Sequence, residues 1–158
     1  MRTKVLFLID AVAALVSCTK EPKDSIVGVW GLTHYEQVAS VGTDSYPLSF
    51  DCNPDAPSST YDMKMVVTNI SGTEYQFTYY LWGGDSWVIV PNNQATYHVK
   101  GNTITIDGSD LKGTIKVTGD ICTVSTQFSE QSDGAFYGKT GMVTVNYTVK
   151  SVYKRLSE

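Results

Sequence analysis

The chain has 158 residues, 12 of them Lys or Arg and 16 Asp or Glu, for a formal net charge of −4. That length holds one domain and not comfortably two. A mild acidic balance with no basic cluster excludes the electrostatic footprint of a nucleic-acid binder and serves solubility instead. Thr, Tyr, Val, Ser and Gly weight the composition toward residue types that favour strands.

The first residues stand apart. Arg2 and Lys4 precede two apolar runs, Val5 to Ile9 and Ala11 to Val16. Neither run approaches the roughly 20 apolar residues of a permanent span, and the pattern is that of a signal peptide. Leu15-Val16-Ser17-Cys18 resembles the lipobox read by lipoprotein signal peptidase. The resemblance implies cleavage before Cys18, diacylglycerol on its thiol and a further acyl chain on its amine. More than one chain is what stable anchoring takes. On this reading residues 1–17 are signal, residues 18–25 are the lipidated cysteine and a polar tether around Pro22, and residues 26–158 are the folded domain. Lys20-Glu21 loosely resembles the export tag of surface lipoproteins of Bacteroidota, so both the periplasmic and the cell-surface face of an outer membrane fit. Asp24-Ser25-Ile26 resembles that phylum's O-glycosylation triplet.

Strand signals follow in chain order, by alternation and by the turn residues between runs. Ile26 to Val38 is the first strand, and Val41 to Thr60, with Pro47, Pro54 and Pro57, is a long connection of a length often functional. Tyr61 to Ile70 and Glu74 to Leu81 alternate cleanly across Ser71-Gly72. Trp82 and Trp87 flank Gly83-Gly84-Asp85, either as a cross-strand pair or as an exposed lip for a membrane or partner. Trp87 to Val90 is short. Gln94 to Lys100 and Thr103 to Asp107 meet at Gly101-Asn102, a hairpin turn. Lys112 to Thr118 and Ile121 to Phe128 meet at Gly119-Asp120. Glu130 to Thr140 is a polar loop, and Gly141 to Leu156 a long last strand. Eight or nine strands joined by short turns build a meander with one apolar face. With no helix to cover that face, the sheet closes on itself. The expected fold is all-β, a single antiparallel up-and-down β-barrel.

With Cys18 lipidated, Cys52 and Cys122 remain. An oxidising compartment permits a disulfide between them, which over a ~70-residue loop would contribute about 4 kcal/mol in the chain-entropy model. Two separate small thiols satisfy the sequence equally.

Ile26-Val27-Gly28-Val29-Trp30, the hairpin Ala95 to Ile106, and Tyr153-Lys154-Arg155-Leu156 together resemble the lipocalin-like lipoproteins of Bacteroidota, within the calycin group. The resemblance implies a cup open at one end. It places Trp30 at the closed end, packed under Arg155, a favourable contact of guanidinium on indole. It also implies that the long first loop is a lid, which a bond from Cys52 to Cys122 would pin to the wall.

If Trp30 points inward, strict period two turns Leu32, His34 and Glu36 inward as well. Met65 faces the same side, as do Tyr75, Phe77, Tyr79, Tyr97 and Tyr147 from later strands. Such a lining suits a small hydrophobic or amphipathic ligand. The alternative is that these rings fill the barrel, leaving a non-catalytic interaction module of a surface protein complex. His34 and His98 have no second ligand at a metal-binding spacing. No nucleophile elbow, phosphate loop or HExxH motif is present. The expectation is therefore a binding protein with neither metal nor cofactor, not an enzyme.

Overall fold

The computed structural model describes residues 25–107, 109 and 111–157, without the side chains of 92–94. The expected signal segment, the lipidation site Cys18 and the tether up to residue 24 lie outside the described residues.

The described residues form nine strands: β1 (Gly28–Val41), β2 (Asp44–Asp51), β3 (Met63–Ser71), β4 (Glu74–Trp82), β5 (Trp87–Lys100), β6 (Thr103–Thr105), β7 (Lys112–Thr118), β8 (Ile121–Asp133) and β9 (Met142–Arg155). Every neighbouring pair is antiparallel, and β9 returns to pair with β1, so the sheet is a closed up-and-down barrel. The physical reason is the one the alternation implies: among the described residues the only helical piece is the 3-10 turn Gly134–Tyr137, so the apolar faces are covered by one another.

β1 organises the ring. One edge pairs with β9 from Trp30 to Ser40. The other is shared in tandem: Gly28 to Gly31 pairs with β3, and His34 to Val41 pairs with β2. β2 therefore stands on the rim, and the wall β2-β1-β9-β8 rises above the short strands β6 and β7. This corrects the expectation of a structureless lid at 41–60. Its first half is β2, in a hairpin with β1. Its second half lies against the outer wall, where Lys154 donates to Asp55 at 2.7 Å and buried Pro54 packs on Gly31. The two segments expected as Trp87 to Val90 and Gln94 to Lys100 are one strand, β5, with an irregularity opposite Tyr79.

The lower half of the barrel is filled. Trp30, Leu32, Met65, Phe77, Ile104 and Ile115 are each no more than 2% exposed. Burying each such side chain contributes about 1.5–3 kcal/mol. Trp30 closes this end. Its indole N–H donates to the Ile26 carbonyl at 2.9 Å, and the Arg155 guanidinium lies 4.2 Å from its ring centre. Arg155 also donates to the carbonyls of Val27 (3.0 Å) and Ser25 (2.7 Å), tying the entering chain to the last strand. Gly28 makes room for this clamp. Its φ is +140°, and a Cβ there would sit 2.6 Å from Arg155 Nη1.

One irregularity decides what faces inward. The register of β1 against β9 shifts between Leu32 and His34. The extra residue, Thr33, satisfies itself by donating its hydroxyl to the Val152 carbonyl at 2.9 Å. A β-bulge of this kind reverses which residues face in. Below it Trp30 and Leu32 point inward; above it the inward set is Tyr35, Gln37, Ala39 and Val41.

Candidate functional site

Above the packed floor the barrel opens into a cup of about 340 Å³. β1 contributes Tyr35 and Gln37, β4 and β5 contribute Tyr79 and Tyr97, and β9 contributes Ser151 and Tyr153. Met63, Val124, Phe128 and Val149 supply apolar wall. The four phenols converge because their strands alternate in register: Leu32 sits opposite Tyr153 and Tyr35 opposite Ser151, and Met65 opposite Tyr79. The Tyr35 hydroxyl donates to Gln37 Oε1 at 2.6 Å. Burial pushes the hydroxyls of Tyr35, Tyr79, Tyr97 and Tyr153 above the usual phenol range, so all four stay neutral. Van der Waals surface and hydroxyl groups are what this wall offers a guest.

The sequence-predicted residues fall into four places. Tyr79 and Tyr97 line the cup. Leu32, Met65 and Phe77 are in the floor, with Tyr75 packed against it. Tyr147 lies above the cup, stacked on Phe128 at 5.0 Å. His34 and Glu36 are on the outer face, a correction to strict alternation caused by the Thr33 bulge. There His34 Nδ1 lies 2.6 Å from Asp51 and Nε2 lies 3.0 Å from Glu36. Its hydrogen bond to Asp51, then that to Glu36, raise its pKa above the ordinary value. Tyr35, Gln37 and Ser151 were missed in their place. A signal for them exists: the apolar positions of β1 change parity between Leu32 and Tyr35.

Of the two readings open for Cys52 and Cys122, the structure has the separate thiols. Cys122 is wholly buried in the floor, while Cys52 donates to the Tyr61 carbonyl at 3.5 Å beside the loop. Burial pushes the Cys122 thiol up to about 12 and the Cys52 thiol up to about 11. Neither is a thiolate near neutral pH, which is what a nucleophilic cysteine requires. Among the described residues no group of three His, Cys, Asp or Glu side chains is placed to hold a metal ion.

The β8–β9 connection roofs the tall wall. Tyr137, in the 3-10 turn, packs edge-on against Tyr46 at 5.1 Å, and its hydroxyl lies 2.9 Å from that of Tyr147. Tyr147 donates in turn to Glu130 at 2.9 Å. Lys139 bonds Asp44 across the rim. A larger hollow of about 420 Å³ lies beside the start of β7, where β8 runs on past it; Lys112, Gln127, Ser129 and Asn146 give it a polar outer side, and Phe128 and Tyr147 reach it from the barrel. On the outer face of β3–β5, Trp82 and Trp87 pair edge to face at 5.4 Å, with the Lys64 ammonium 5.2 Å from the Trp87 ring.

No family model matches the chain, and no curated protein matches it in sequence. Among solved structures it is similar to the siderocalin Ex-FABP, described as functioning through dual ligand specificities, at 7% identity and a TM-score of 0.46, over 84% of this chain and 74% of that one. At that level the likeness carries no argument about the site, which rests on the geometry above.

Proposed function

We propose that this chain is an extracytoplasmic binding protein that holds a small, partly apolar molecule in the cup without transforming it. The observation that carries this reading is the 340 Å³ cup itself, apolar in its walls with converging hydroxyls, over a closed floor. That volume lies within the range of small-molecule sites, about 300–1,000 Å³.

The lipid anchor belongs to the same proposal. Ser25 enters at the closed end, held by Arg155, and a tether of seven residues reaches at most about 25 Å. An anchor at Cys18 therefore puts the floor nearest the membrane and the cup's mouth away from it. A second reading, an interaction module of a surface complex, draws on Phe136 and Met142, which are 81% and 67% exposed beside the mouth.

Native mass spectrometry of residues 19–158, purified from cells exporting the protein, tests the first reading. A co-purified small molecule that leaves on denaturation is expected. A bare mass under gentle conditions, with no shift on adding a library of amphipathic compounds, would contradict it. Metabolic labelling with a fatty-acid analogue tests the anchor: label lost in Cys18→Ala is expected, and retained label refutes the assignment.

A further inference from the structure

Resting on the reading of the cup as a binding site, we infer that it selects uncharged ligands and rejects anionic ones, fatty acids included. Among the described residues that line it, none carries a charge. An anion moved into such a wall loses its hydration and gains no cation in return, and burying a charge without a partner is the costliest thing a pocket can ask.

The polar groups present do not substitute for a cation. Tyr35 has already spent its proton on Gln37. Tyr79 and Tyr97 neighbour one another, and Tyr153 neighbours Ser151. What these pairs offer a guest is a balance of donors and acceptors, suited to carbonyl, ether or hydroxyl groups. The guanidinium at the closed end is out of reach: Arg155 lies over Trp30 beneath the floor, and its Nη atoms are bound to backbone carbonyls. The charges nearest the rim are of both signs: Lys112 lines the adjoining hollow with Phe128, and Glu130 lies on the Tyr147 hydroxyl. Phe128 lines the cup and stacks on Tyr147, whose hydroxyl is held by the Glu130 carboxylate. Desolvation is therefore what weighs against an anion inside the cup.

A chemically matched pair of probes tests this. N-phenyl-1-naphthylamine and 8-anilino-1-naphthalenesulfonate share one aromatic body and differ by a sulfonate. Fluorescence titration of residues 19–158 at neutral pH is expected to show the neutral probe binding at least tenfold more tightly. Gln37→Lys places a cation at the cup's upper wall and is expected to raise affinity for the sulfonate probe tenfold or more, with the fold checked by circular dichroism. Sulfonate affinity within about threefold of the neutral probe in the parent protein overturns the charge selectivity while leaving the cup a binding site. So does Gln37→Lys that folds and leaves the preference unchanged. Failure of both probes to bind removes the binding reading on which the inference stands.

Discussion

Gly28 and Gly31 show how tightly single residues are constrained at the closed end. Gly28 holds a φ of +140° with Arg155 against its α-carbon, and a Cβ on Gly31 would overlap the Pro54 ring. Gly28→Ala adds a left-handed backbone penalty to a clash with the clamp, and a loss of about 1–3 kcal/mol is expected in urea denaturation. Arg155→Lys keeps the charge but loses the fork that holds Ser25 and Val27 together. It should be less stable by about 1–2 kcal/mol in the same experiment. On the outer face, His34 bridges Asp51 and Glu36. Because its folded-state pKa is raised, the stability this clasp contributes is complete below the ordinary histidine value. It fades as pH rises through the raised one. NMR titration should place the His34 midpoint above that of an unfolded histidine, and Asp51→Asn should bring it down; an unmoved midpoint in Asp51→Asn would show the clasp absent in solution.

At the scale of elements, β1 is two half-strands of opposite parity joined at Thr33. Strict alternation from Trp30 reaches the correct side for Leu32 and the wrong side for His34 and Glu36, because the shift in register lies between Leu32 and His34. Deleting Thr33 would remove the extra residue and leave these parities as they are, with His34 and Glu36 outward and Tyr35 and Gln37 inward. That variant is expected to keep a cooperative unfolding transition, and Thr33→Val, which keeps the bulge and removes only the hydroxyl bond to Val152, should cost about 0.5–1.5 kcal/mol. The bulge was visible only as a change in apolar parity between Leu32 and Tyr35. β2 was concealed for a different reason: three prolines and several small polar residues between Val41 and Thr60 carry the signature of a loop. Pro47 nonetheless sits within β2 opposite Val38, a place open to proline because β2 is an edge strand. The roof from Gly134 to Gly141 is tied by Lys139–Asp44 and by the Tyr137–Tyr147–Glu130 chain. Tyr137→Phe should speed amide exchange in that segment while leaving the floor strands protected.

For the whole molecule, closure was legible because it follows from one constraint: a meander with a single apolar face and no covering helix must meet itself, and β1 and β9 do. The guanidinium–indole contact of Arg155 on Trp30 came from the family resemblance and not from alternation, and the structure forms it. How far the interior is filled was not legible, because inward-facing rings look alike in sequence whether they pack on one another or line a space. The structure divides them by height. Phe77 belongs to a dry floor, and Tyr79, two residues on, opens into the cup. The outer face offers a competing apolar surface at Trp87 and Ile89, the latter 43% exposed. Amide and methyl chemical-shift mapping during titration with N-phenyl-1-naphthylamine separates the two. Binding in the cup predicts shifts at Tyr35, Tyr79, Val124, Val149 and Ser151 with little change at Trp87 and Ile89. Shifts confined to Trp87 and Ile89 would contradict it.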